Sequence, residues 1–160
     1  MTSYESLSAQ SRVWIYQASR PFTAQELLEV EYHLEQFAEK WVSHNRALKS
    51  NAKVYHRQFI VLMVDETQAG ASGCSIDSSV HFLQQLSAHF QVDLFDRMTF
   101  AYQENGEVKT AHKDTFVELF QQGLISEQTL VFDNLVATKK DFDQQWLKPL
   151  KESWHWRMLQ

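Results

Sequence analysis

Apolar and polar residues alternate along Arg12–Gln17 (RVWIYQ), which predicts a strand. Thr23 to Glu26 (TAQE) then matches a capping box, with Phe22 placed to act as a hydrophobic staple. A helix is expected from there to about Val42. Its buried stripe would be Leu27, Val30, Leu34, Phe37 and Trp41, spaced three or four apart. Glu29, Glu31, Glu35 and Glu39 make its outer face acidic. Residues 43–52 read as a loop, and residues 53–65 as one strand. The second half of that strand, FIVLMV, is apolar on both faces, as in a central strand covered on both sides. Residues 66–74 hold two of the four glycines and read as a turn or crossover. A helix over 77–90 follows. A helical wheel puts Leu83, Leu86 and Phe90 inward, and Asp77, His81, Gln84, Gln85 and Ala88 outward.

Further along, residues 98–103 and 107–111 flank Asn105-Gly106, a strong two-residue hairpin signal. Residues 113–122 read as a short helix ended by Gly123. Leu130–Phe132 reads as a short strand, and helical segments are expected across 138–157 with a break at Pro149. Residues 1–11 read as a flexible or loosely docked tail. The order predicts one α+β domain over 1–160, a mixed sheet packed by helices. No repeat, low-complexity stretch or linker divides it.

Composition narrows the class. Apolar residues at 44% and charged residues at 22% are globular values. Fifteen basic against twenty acidic side chains leave a formal charge of -5, so a broad nucleic-acid-binding surface is not expected. One cysteine allows neither an intrachain disulfide nor a cysteine-based zinc site. The first residues show no basic leader with an apolar run. The longest apolar stretch, residues 59–64, is about a third of a membrane span. A cytoplasmic protein without a membrane partner is therefore expected.

Several residues could carry chemistry. The run GASGCSIDSSVH at 70–81 follows the central strand and opens a helix, where α/β ligands commonly bind. Gly70 and Gly73 permit close approach, and the N–H groups near Cys74 and Ser75 could hold an anion. Ser75 or Asp77 could cap the helix instead. Lys53 and Arg57, from a stretch holding four basic residues and no acid over 43–57, could add opposite charge. Cys74 could serve as a nucleophile with His81 as its base. Asp77, four residues before His81, could orient that imidazole or share a metal with it. Asp96 with Asp93 and Arg97 could orient a base or build a turn. Trp146, Trp154 and Trp156 could complete a core or meet another subunit. No complete cofactor or metal motif is present, and none of either is expected. The leading reading is a non-enzymatic binding or protein-interaction domain, with a protein or a second copy of the chain as partner. The alternative is a small hydrolase or transferase using Cys74, Asp77 and His81.

Four stretches, VWIYQASRPFT at 13–23, GASGCSIDSSVHF at 70–82, DLFDRMTFAY at 93–102 and PLKESWH at 149–155, carry a resemblance. Through them the chain resembles a family of small, uncharacterised cytosolic proteins from Bacteroidetes. Its members often bear the label "ABC transporter ATPase". The chain holds no GxxxxGK[ST] loop and no LSGGQ, so the resemblance implies no nucleotide chemistry. Residues 102–132 also resemble the second half of a GYF-type domain, through Leu119, Gly123, Ile125, Thr129 and Val131. That resemblance implies a hairpin leading to a short helix, in a fold that in some members binds proline-rich peptides.

Overall fold

Six consecutive apolar residues cannot sit on a half-wet strand. Every residue of Phe59–Asp65 (β5) is buried, and β5 is the central strand of a three-stranded sheet. Arg12–Gln17 (β1) flanks it on one side and Lys49–Tyr55 (β4) on the other, both antiparallel. The computed structural model describes residues 1–160, whose contacts form two compact units. The first is Met1–Phe95 with Ala137–Lys140, and the second is Asp96–Val136 with Asp141–Gln160. The α+β class expected from the sequence is what the structure shows, with antiparallel sheet packed against helices. The chain leaves the first unit and re-enters it at Ala137, so no compositional boundary marks the division.

In the first unit, Ala24–Lys40 (α1) starts with the expected capping box. Thr23 Oγ1 accepts the Glu26 N–H at 3.1 Å, and Glu26 Oε1 accepts the Thr23 N–H at 2.9 Å. Phe22, Val30, Leu34 and Trp41 are buried with Ile60, Leu62 and Val64 of β5. Gly73–Phe90 (α2) adds Leu83, Leu86 and Phe90 to the same core. The residues assigned outward on α2 are exposed.

Four expectations for this unit are corrected. Residues 53–65 are not one strand but parts of a hairpin, since the chain reverses at residues 56–58 and Tyr55 pairs with Phe59. His56 and Arg57 take φ of 53° and 57° there, a left-handed conformation that Asn or Gly usually announces. Tertiary hydrogen bonds hold it: Arg57 Nε and Nη2 donate to the Phe22 carbonyl at 3.1 and 2.9 Å. Residues 43–52 are not a loop. They hold the ribbon Val42–Ser43 (β2) and Arg46–Ala47 (β3), turned at His44 and Asn45, and then β4. The α2 helix starts at Gly73 rather than Asp77, because Ser72 is the cap and Ser75 completes a second capping box. The first residues are docked rather than loose. Leu7 is buried, and the N–H groups of Thr2 and Ser8 reach the Ser50 carbonyl and the Asp65 carboxylate.

In the second unit, Thr99–Glu104 (β6) and Glu107–His112 (β7) form the expected hairpin. Asn105 and Gly106 take φ of 53° and 78°, the paired left-handed turn this dipeptide favours. Lys113–Gln121 (α3) ends at Gly123 as expected. The Gly123 N–H meets the Phe120 carbonyl at 3.0 Å, and the Leu124 N–H meets the Leu119 carbonyl at 2.9 Å. Leu130–Phe132 (β8) pairs with β6, and Leu147–Pro149 (β9) pairs with β8. Of the helices expected over 138–157, only Lys139–Gln145 (α4) is an α-helix. The remainder is β9 and the 3-10 turns Leu150–Glu152 and Trp154–Leu159. Pro149 suits a strand end, where its missing N–H costs little.

Candidate functional site

The loop singled out in the sequence lies at the end of β5 and the start of α2. Ser72 Oγ accepts the Ser75 N–H at 3.2 Å, and Ser75 Oγ accepts the Ser72 N–H at 2.7 Å. The chain's own Glu66 also reaches the loop: its Oε2 accepts the Ala71 N–H at 2.8 Å. A Cβ added at Gly70 would lie 3.1 Å from that oxygen, so this glycine admits the carboxylate. Arg12 Nε stands 3.7 Å from Glu66. An anion entering here would therefore meet a carboxylate already in place.

Cys74, Asp77 and His81 are all exposed on α2, and Ser75 is buried. Asp77 and His81 share no hydrogen bond or ion pair despite their four-residue spacing. Cys74 and His81 are two helical turns apart, roughly 10 Å along the axis, beyond proton-transfer reach. Lys53 is exposed on β4 with its ammonium 5.4 Å from the Tyr55 ring. Arg57 occupies the turn at the start of β5, the end opposite the glycine loop. A seven-residue strand separates the two ends by about 20 Å. The structure thus leaves Arg57 apart from Gly70, Gly73, Cys74 and Ser75. Asp96 builds a turn: its carboxylate accepts the Thr99 hydroxyl at 2.6 Å and the Met98 N–H at 2.7 Å. The Thr99 bond, then the Met98 bond, hold its carboxyl below the ordinary range. Asp93 accepts the Phe95 N–H in the same manner. No group of three or more His, Cys, Asp or Glu side chains is arranged to hold a metal ion.

A different surface of the first unit is concave. Helices α1 and α2 run antiparallel, with Trp41 Nε1 donating to the Ser75 carbonyl at one end and Arg20 bridging the other. Glu29, His33 and Phe37 recur every four residues on α1. Phe82, Gln85, Leu86 and His89 recur at three and four on α2. The two stripes face each other. Phe37 and Phe82 stack at 4.4 Å and close one end of the groove. At the other end Arg20 donates to Glu26 at 2.8 and 3.0 Å and to the Phe90 carbonyl at 2.8 Å. That arginine, followed by the Thr23 N–H, pulls the Glu26 carboxyl down to about 2.

Between these ends the groove holds a cavity of about 220 Å³ lined by His33, Phe82, Gln85, Leu86 and His89. Beside it lies a wider recess of about 450 Å³ lined by residues including Arg20, Glu26, Glu29 and His89. The imidazoles of His33 and His89 meet edge to face with ring centres 6.5 Å apart, and the Tyr32 ring meets His33 edge to face at 5.7 Å. Leu28 and Tyr32, one turn apart on α1, are 70% and 60% exposed. Sequence reasoning missed this groove. Both stripes were visible as periodic residues, but their facing depends on the antiparallel pairing of two helices.

The second unit buries the titratable groups Tyr102, Asp133 and His155. His155 shares a 2.6 Å hydrogen bond with Ser153 and lies among Phe100, Phe116 and Trp154. Burial pushes its pKa down to about 4, while Asp133 acts weakly upward and Lys148 downward. It is a neutral core histidine. Trp154 stacks on it and Phe120 meets Trp156, so this part of the aromatic tail completes a core. No protein-family model, curated protein or solved structure matches this chain. No helix is long and apolar enough to cross a membrane.

Proposed function

We propose that this chain is a protein-interaction domain whose docking surface is the groove between α1 and α2. The observation that carries the reading is the concave, apolar-floored cavity, with Tyr32 exposed beside its His33 wall. Large apolar residues that border a groove lose the most water-exposed area when a partner seats there. Helix pairs present such grooves to peptide segments without further backbone adjustment. The α2 start holds the residues of the competing enzymatic reading, and their separation gives that reading no assembled nucleophile and base.

The test uses tagged chain, chemically crosslinked in cells and recovered with whatever it holds. The Tyr32→Ser, Gln85→Lys double variant, changed at the cavity wall and beside it, should lose a discrete partner that the Cys74→Ser, His81→Gln double variant keeps. Turnover of any substrate in a broad screen, abolished by changing Cys74 or His81, would refute the reading.

A further inference from the structure

We infer that the outer edge of β7 pairs with β7 of a second copy of this chain, antiparallel and about a two-fold axis at Thr110, so that two copies share one continuous sheet. The surface belongs to the second unit and does not depend on the α1–α2 groove. Other sheet edges are covered or short. Along β1, the Val13 N–H donates to the Ala137 carbonyl at 3.0 Å and Arg12 pairs with Thr138. On β4, the Ser50 carbonyl accepts the Thr2 N–H at 3.0 Å. Strand β9 is three residues long and ends in Pro149. Strand β7 is six residues long, ends its sheet, and exposes Glu107, Lys109, Thr110 and His112. Hairpin geometry fixes which of its backbone groups face outward. At a two-residue turn the flanking pair, here Glu104 and Glu107, exchanges both hydrogen bonds, and bonded pairs recur at every second residue. Glu107, Lys109 and Ala111 therefore bond to β6. The Lys113 N–H, which donates to the Met98 carbonyl at 2.8 Å, continues that alternation. Val108, Thr110 and His112 turn their N–H groups away from β6, and no carbonyl of the chain accepts them. Such an edge is a template for another strand.

The side chains of β7 select a second copy as occupant and set its register. A two-fold at Val108 would overlap only residues 107–109, because the Asn105-Gly106 turn ends the strand. One at Ala111 would overlap only residues 110–112, because α3 begins at Lys113. A two-fold at Lys109 would set two ammonium groups directly opposite each other, which is destabilising. With the axis at Thr110, residues 108–112 overlap and threonine meets threonine, a favourable cross-strand pair. Lys109 then faces the small side chain of the partner's Ala111. Glu107 comes opposite the partner's Lys113, an acid against a base at each end of the overlap. The two Thr110 residues exchange both hydrogen bonds, and the His112 N–H reaches the partner's Val108 carbonyl. Pairing along one edge buries less than the roughly 1,200–2,000 Å² of a tight complex, so the dimer is a concentration-dependent one.

Sedimentation of the full chain between about 10 μM and about 1 mM should show a reversible monomer–dimer equilibrium. Over the same range, hydrogen exchange at the Thr110 and His112 N–H groups should slow several-fold, with no change at Lys109 and Ala111, which already bond to β6. Thr110→Pro removes an N–H that the monomer does not use and should abolish the dimer. The exchange measurement uses the unaltered chain, so it decides the question even where proline disturbs the fold. In a Cys74→Ser background, Val108→Cys, Lys109→Cys and Thr110→Cys report the register. Thr110→Cys should form an interchain disulfide fastest, since only there do the two Cα atoms come within bridging distance. A chain that stays monomeric throughout would overturn the inference, as would a dimer that leaves exchange at Thr110 unchanged. Fastest bridging from Val108→Cys or Lys109→Cys would overturn the two-fold at Thr110.

Discussion

An imidazole buried among aromatic rings keeps its neutral form, and this couples folding of the second unit to pH. His155 has its pKa lowered to about 4 by burial, from an unfolded value near 6.5. Its contribution is fully present above about pH 6.5 and is lost as pH falls toward 4, a change of about 3 kcal/mol. Urea unfolding at pH 7.5, 6 and 4.5 should show the decline, and His155→Gln should flatten it. Asp65 acts in a lower window. Burial raises its pKa, but the Thr67 hydroxyl, the N–H groups of Ser8 and Thr67 and the Lys49 ammonium outweigh that and hold it at about 2. Its depressed pKa therefore stabilises the fold above about pH 4, and that stability is lost as pH falls through 2. Asp65→Asn should cost roughly 2–4 kcal/mol at pH 7 and remove the acid sensitivity below pH 4. Neither role was legible in the sequence. The rings that bury His155 include Phe100 and Phe116, and Asp65 is held partly by the Ser8 N–H, so both depend on segments distant in the chain.

At the scale of elements, local signals worked where backbone chemistry was local. The Thr23 cap, the Asn105-Gly106 turn and the Gly123 stop each appear at the residue that announced them. The buried stripe of α2 also stands, since helical periodicity alone fixes which residues share a face. Leu83 is fully buried in it, so Leu83→Ala should cost roughly 2–5 kcal/mol at unchanged denaturant slope. A loss below about 0.5 kcal/mol would contradict its place in the core. The start of α2 lies four residues before Asp77, because Ser72, rather than Ser75 or Asp77, is the cap. Ser72→Ala should therefore cost about 1 kcal/mol, more than Asp77→Ala, in the same unfolding measurement. The turn at His56 and Arg57 was hidden because it needs two successive left-handed residues, and Arg57 does not favour that backbone by itself. Arg57 is held there through the Phe22 carbonyl, a partner 35 positions away.

For the molecule as a whole, the concave surface lies away from the segment richest in motif-like residues. The glycine loop before α2 is closed by its own serines and by Glu66, whereas the open surface lies between two ordinary amphipathic helices. A sequence shows the composition of each helix but not which faces meet, so the groove had no signature to read. The Tyr32→Ser, Gln85→Lys variant should unfold within about 0.5 kcal/mol of the parent, because neither side chain is in the core. The claim that the groove is the working surface is tested most directly by photocrosslinking in cells. A photoreactive amino acid is placed at Tyr32 in one chain and at Asp77 in another. The account predicts a discrete adduct with another polypeptide from position 32 and none from position 77. An adduct from position 77 alone would move the function to the start of α2 and contradict it.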